Sequence, residues 1–358
     1  MARTGHDVNA KKRDWPLPTN SAMAGNTFVN FVTDTHYAYM PWSDRQLINM
    51  AYDVKKGLIP TPDAFLHGGD ICDSPGEHGY QPGDSTKLKD QDDFMLTYKG
   101  GWLNNMNPNN VPSLWCMGNH DVRRRSPSTR AKWEGIYGRS ANQVLDLPNM
   151  RIVMFAPDSH IYYYSDNPKH DTGWNIPDAT WDWIDQQIGG TTKPVLLLNH
   201  YPPAELANVN DRYSAFADNP YGTLFLNKKT KSGGSTTSTS NLVNPWVTYK
   251  LADIVSSHSN IAGFVCGHMH FLDSDPRMAS FQVIGNKTLP VISGPSPVHQ
   301  TSNDRKWGHR NITKSLYMNF TPDHWEIRYR YHSAARWDGP DMGRITTMNL
   351  STHEITGA

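Results

Sequence analysis

Along the chain, short runs of consecutive apolar residues alternate with stretches in which apolar positions recur every three or four residues. TFVNFVTD (27–34) is the first such run and reads as a buried strand. SDRQLINMAYDVKKG (43–57) reads as a helix: Ser43 and Gln46 have capping-box spacing, Leu47, Ile48, Ala51 and Val54 share one face, and Gly57 ends it. AFLHGGD (64–70) is a second strand, and 90–106 predicts a helix weakened by Gly100 and Gly101. VPSLWCMGNH (111–120) is a third strand. Ser126-Pro127 opens a helix running to Tyr137, with proline where its missing N–H costs little. The alternation continues through RIVMFA (151–156, strand), 177–188 (helix), PVLLLNH (194–200, strand), 245–258 (helix) and IAGFVCGH (261–268, strand).

This order predicts an α/β fold with helices covering a sheet on both sides. Beyond His270 the pattern changes. TLPVIS, SLYMNF and HWEIRYRY are strand-like with little helix between them, so 272–358 reads as a strand-rich part, either a second sheet or an antiparallel extension packed on the first. Residues 1–25 form an N-terminal arm, flexible alone or tied down by a partner, and 26–358 form one domain. NKKTKSGGSTTSTS (227–240) has nothing to bury and reads as a mobile surface loop.

With 358 residues the chain can bury a core without staples. Cys72, Cys116 and Cys266 lie in or just beyond apolar runs and read as reduced core thiols. Lysine plus arginine equal aspartate plus glutamate at 34 each, so net charge points to neither a nucleic-acid nor a membrane partner. No apolar stretch follows the basic residues of the N-terminus, which makes a cytoplasmic location the expectation.

The chemistry concentrates where strands end. FVTDTH supplies Asp34 and His36, LHGGD supplies Asp70, CMGNHD supplies Asn119, His120 and Asp121, LLLNH supplies His200, and VCGHMH supplies His268 and His270. Most pieces alone are weak, since a Gly-Gly-Asp after a strand is usually a turn; GHMH is stronger, because histidines two apart at a strand end point the same way. Five in order, each at the carboxyl end of a strand, converge on the crevice where open α/β sheets bind ligands.

This ordered set resembles the calcineurin-like metallophosphoesterase superfamily, whose signature is Asp-x-His, Gly-Asp, Gly-Asn-His-Asp/Glu, His and Gly-His-x-His. The likeness spans 27–271. RIVMFAPDS and DATWDWIDQQI, followed by LLLNHYPP, are also similar to its cyclic-nucleotide-phosphodiesterase-like (class III) branch, although Asn199 stands where that branch often has histidine. The resemblance implies a four-layer α/β/β/α sandwich of two mixed sheets. It implies that Asp34, His36 and His270 hold one metal, that Asn119, His200 and His268 hold a second, and that Asp70 bridges them. The ligand set lacks cysteine sulfur, which suits manganese, iron or zinc. Catalysis would be hydrolysis of a phosphate ester by hydroxide held between the ions. His120 would give a proton to the leaving oxygen, with Asp121 orienting it and raising its pKa.

Weaker hints concern a small phosphate-ester or nucleotide substrate. Arg123, in DVRRR, suits bidentate phosphate contact. Tyr37 lies beside the first ligands, and Tyr201 beside His200 suits a pocket wall. The branch resemblance favours a phosphodiester over a monoester. Alternatives are a phosphomonoesterase, a nuclease (disfavoured by the balanced charge), and a structural or binding subunit of a larger assembly, docked through the arm, with a retained metal site.

Overall fold

The computed structural model describes residues 26–36, 61–72, 100, 111–118, 121, 129–156, 159–161, 173–176, 178–202, 245–268, 270, 278–296, 298–300, 307–309, 314–331 and 346–357. The arm at 1–25, the helix expected at 43–57, almost all of that expected at 90–106, and the loop at 227–240 lie outside these residues. No helix among the described residues is long and apolar enough to cross a membrane.

The first sheet begins with β1 (Thr27–Val32), β2 (Ala64–His67) and β3 (Ser113–Trp115), which run parallel to one another. The second contains β4 (Gln143–Asp146), β5 (Arg151–Met154), β8 (Val195–Leu198), β9 (Ile261–Cys266), β10 (Ala279–Ile284) and β11 (Lys287–Ser293). Its order is β10-β11-β9-β8-β5-β4, parallel from β11 to β5 with an antiparallel strand at each edge. Two short hairpins stand apart: β6 (Ser159–Ile161) with β7 (Gly173–Asn175), and β12 (Val298–Gln300) with β13 (Trp307–His309).

The C-terminal strands β14 (Lys314–Phe320), β15 (His324–Tyr331), β16 (Thr346–Asn349) and β17 (Ile355–Thr356) extend the first sheet, which reads β17-β16-β15-β14-β1-β2-β3. They are hydrogen-bonded into that sheet rather than laid on it, with Thr27 opposite Phe320 and Phe31 opposite Leu316. The reason is that β1 would otherwise present a free edge of unpaired amides beside the site.

Alternation along the first strands divides the core in two. Val29, Phe31, Leu66, Leu114 and Cys116 belong to the large cluster between the sheets. Their neighbours Val32, Phe65, Trp115 and Met117 belong to a second cluster, as the two-residue period of a strand requires. Helix α1 (Thr129–Tyr137) adds Trp133 and Tyr137 to this second cluster, with the Tyr137 ring 5.1 Å from that of Trp115. Helix α2 (Asp178–Gly189) packs on β5 through a face containing Trp181, Ile184 and Ile188, and α3 (Pro245–Ser257) packs on β10. The result is the four-layer α/β/β/α sandwich of two mixed sheets. All three cysteines are free and buried.

The sheets meet closely at Gly263 of β9, where an added Cβ would collide with the Trp325 ring of β15 and the Pro290 carbonyl. Trp325 is 1% exposed, so it has nowhere to retreat. Gly263→Ala is therefore expected to cost about 1–3 kcal/mol by overpacking, read as a lower urea midpoint with an unchanged m-value. An unchanged midpoint would show that the sheets can separate locally at no cost.

Candidate metal centre

The ligand-bearing loops continue the parallel ladders beyond the strands. After β1 and β2, Gly68 N–H donates to the Val32 carbonyl (2.8 Å), Asp34 N–H to Gly69 (2.9 Å) and His36 N–H to Asp70 (3.0 Å). In the second sheet Asn199 N–H donates to Val265 (3.2 Å) and Gly267 N–H to His200 (2.9 Å). Cross-ties then join the sheets. The Asp34 carboxylate accepts the His268 amide at 2.9 Å and the Thr33 hydroxyl at 2.7 Å. His200 Nδ1–H donates to the Gly68 carbonyl at 2.7 Å.

Two clusters of ligand atoms result, each within 4.8 Å: Asp34, His36, Asp70 and His270, and Asp70, His200 and His268. Asp70 belongs to both. Its Oδ2 lies 3.3 Å from His200 Nε2 and 3.9 Å from His36 Nε2. His270 Nε2 is 3.1 Å from Asp34 Oδ1 and 3.2 Å from His36 Nε2, while His268 Nδ1 is 3.2 Å from His200 Nε2.

Hydrogen bonds assign the tautomers that matter. His200 spends its Nδ1 proton on Gly68 O, so Nε2 offers its lone pair inward. The Ser296 hydroxyl donates to Asp34 O at 3.0 Å, so its oxygen accepts from His270 Nδ1 at 3.4 Å and His270 Nε2 also faces inward. Inward lone pairs around two buried carboxylates form a donor set that could hold a cation, with the outer nitrogens fixed as those of metal-binding histidines are. Protons otherwise share this charge. Burial alone would lower His200, but Asp70 and then Asp34 pull it up to about 9. Burial would raise Asp34, yet His270 and then His200 hold it well below the usual carboxylate range.

Backbone strain marks the same residues. Asp34, His36, Asp70, His268 and His270 have φ between +44° and +70°, and His353 is the sole other non-glycine with positive φ among the described residues. That conformation costs an ordinary residue about 1–2 kcal/mol. Each ligand here is thus held against its preference by the loop hydrogen bonds.

The profile of the calcineurin-like phosphoesterases matches residues 29–272. The chain belongs to that family. Among solved structures it is similar in fold to a dimetal phosphatase from Danio rerio, with a TM-score of 0.52 and 11% identity, covering 91% of this chain and 99% of that one. Vacuolar protein sorting 29 from Cryptosporidium parvum also matches, with a TM-score of 0.33 and 8% identity over 93% of this chain and 100% of that one. No curated protein matches the sequence.

Of the residues singled out as calcineurin-like ligands, the structure brings Asp34, His36, Asp70, His200, His268 and His270 together. Asn119, His120, Arg123 and Tyr37 lie outside the described residues. Asp121 is buried, and among the described residues its partners are backbone amides: Ile71 (2.9 Å) and Cys72 (3.0 Å) on Oδ1, Gly118 (2.9 Å) on Oδ2. Burial and then Asp70 raise its pKa to about 7 despite those amides. Tyr201 is fully buried, its ring 4.9 Å from those of His200 and His268, so it backs two ligands. Asn199 is structural: Nδ2–H donates to Phe155 O (2.7 Å) and Oδ1 accepts from Tyr201 N (2.9 Å).

Two supporting residues escaped sequence reasoning. Ser296 follows β11 with no periodic signal. His67 had one, a polar ring ending an otherwise apolar strand. It is fully buried, and burial lowers its pKa to about 3. The unfolded chain protonates His67 below about 6.5 while the folded chain keeps it neutral, so its contribution is complete above 6.5 and lost as pH falls toward 3. In chelator-treated protein, His67→Gln should make unfolding free energy fall less steeply from about pH 6 to pH 4, by up to about 1.4 kcal/mol per unit. Equal slopes in urea titrations would contradict a neutral buried His67.

Gly118 supplies a second check. A Cβ there would strike the Asp70 amide nitrogen and Oδ1. Gly118→Ala should weaken metal binding by about tenfold or more while circular dichroism stays native.

Proposed function

We propose that this protein is a dinuclear-metal phosphoester hydrolase acting on a small or nucleotide-type phosphodiester. The observation that carries the reading is the sharing of the buried Asp70 carboxylate by two adjacent ligand clusters. Asp34, His36, Asp70 and His270 would hold one ion, and Asp70, Asn119, His200 and His268 the other. Manganese, iron or zinc suits this nitrogen and oxygen set. Such a pair, when bound, supplies Lewis acidity that activates water and offsets phosphoryl charge.

The chain's own residues do the remaining work. Gly68 O and Ser296 keep the lone pairs of His200 and His270 turned inward, so the site does not reorganise as charge develops. His120, which carries no ligand role in this reading, donates a proton to the departing oxygen. Arg123 and Tyr37 are the candidate substrate contacts. The preference for a diester rests on the likeness of 151–159 and 178–188 to the class III branch.

The test is turnover of metal-reconstituted protein on bis-p-nitrophenyl phosphate, p-nitrophenyl phosphate and cyclic nucleotides. Diesters should be the faster class, and a chelator should abolish activity. His120→Ala should keep two ions and lose about 10²–10⁴ in kcat, whereas Asp70→Ala should lose both activity and stoichiometric metal. A protein holding two ions that cleaves none of these esters is not a hydrolase of this class, and a fully active Asp70→Ala would remove the bridging assignment.

A further inference from the structure

His67 raises a question that packing does not answer. It ends β2, and the strand's other outward residue, Phe65, joins the cluster of Val32 and Trp115. A leucine would fill a similar space without the cost of burying two ring nitrogens. What imidazole adds is a rigid ring with a donor at one corner and an acceptor at another, and both are in use.

Gly69 N–H donates to His67 Nδ1 at 3.2 Å, which places the ring proton on Nε2. That nitrogen lies 3.1 Å from Thr35 Oγ1, and the Thr35 hydroxyl donates onward to Ile71 O at 2.8 Å. Gly69 and Ile71 flank Asp70, and Thr35 lies between Asp34 and His36. The chain of hydrogen bonds therefore grips Asp70 from both sides and fastens it to the segment carrying the other two first-sheet ligands. All of these ligands have strained backbones that would relax if released.

We propose that His67 is a positioning residue that sets the separation of Asp70 from Asp34 and His36, and so tunes the Asp34–His36–Asp70–His270 site in preference to its neighbour. The inference rests on the dinuclear reading above. The selectivity follows from the connections: three of that site's four residues belong to the two segments His67 ties. The neighbouring cluster has one residue, Asp70, on those segments and draws His200 and His268 from the second sheet, where the Gly68 carbonyl and the Asp34 carboxylate tie them to the first.

The experiment titrates full-length, metal-free protein with Co²⁺, reading stoichiometry, stepwise affinity and the visible ligand-field spectrum. Variants are His67→Leu, His67→Gln and Thr35→Val, the last removing the hydroxyl relay while leaving His67 in place. Wild type should bind two Co²⁺. In His67→Leu and Thr35→Val one site should weaken by about 10–100-fold with an altered spectrum while the other keeps its affinity. His67→Gln, able to keep the bond to Thr35, should fall between. Wild-type affinities and spectra in both disrupted variants would overturn the inference, as would equal weakening of both sites in step with Tm. If His67→Leu fails to fold, Thr35→Val decides alone. Wild type binding fewer than two Co²⁺ would sink the dinuclear reading and this inference together; two in wild type with indifferent variants sinks this inference alone.

Discussion

Asp34 and Asp70 are removed from water almost completely, at 0% and 1% exposure. An isolated buried carboxylate is costly enough that proteins pair it, coordinate it to a metal or protonate it. Both groups here are supplied with donors: the Thr33 hydroxyl and the His268 amide at Asp34, and the imidazoles of His200 and His36 near Asp70. Compensation by imidazole is conditional, because each ring helps only by holding a proton or by sharing a cation. The His200 pKa of about 9 is the protonic form of that compensation. A pair of metal ions is the other form, and ligands already turned inward favour it.

The two-sheet architecture makes such a concentration of charge buildable. Neither sheet holds a complete cluster. Asp34, His36 and Asp70 hang from β1 and β2, while His200, His268 and His270 hang from β8 and β9. Parallel strands send all these loops toward one rim, and ladder hydrogen bonds continuing past the strand ends fix their register. Strain at five ligand backbones is tolerable because the layers beneath are rigid. Close contact at Gly263 and Trp325 and the insertion of β1 between β14 and β2 leave those strands little freedom to shift.

Much of the fold was legible because buried parallel strands are written as continuous apolar runs. VLLL and IAGFVC became β8 and β9 within a residue or two of expectation, and the amphipathic 177–188 and 245–258 became α2 and α3. The antiparallel edges were harder. β10, ASFQVI, and β4, QVLD, mix polar and apolar residues because one side of an edge strand meets solvent. The Gly285-Asn286 turn between β10 and β11 was the available hairpin signal.

What the sequence determined by itself was an inventory: the buried apolar strands, which of them run into Asp or His, and a spacing that matches a two-metal family. Ligand identity is local chemistry, and a strand end is a local pattern, so both survive in one dimension. Only the tertiary structure decided which sheet each strand joins, that Asp121 accepts the amides of Ile71, Cys72 and Gly118, and that Ser296 and His67 hydrogen-bond to the ligand-bearing segments. Those outcomes depend largely on partners distant in sequence, such as Ser296 with Asp34 and Asp121 with Ile71, where hydrogen-bond geometry rather than residue type selects the contact. Sequence order carries no record of that geometry.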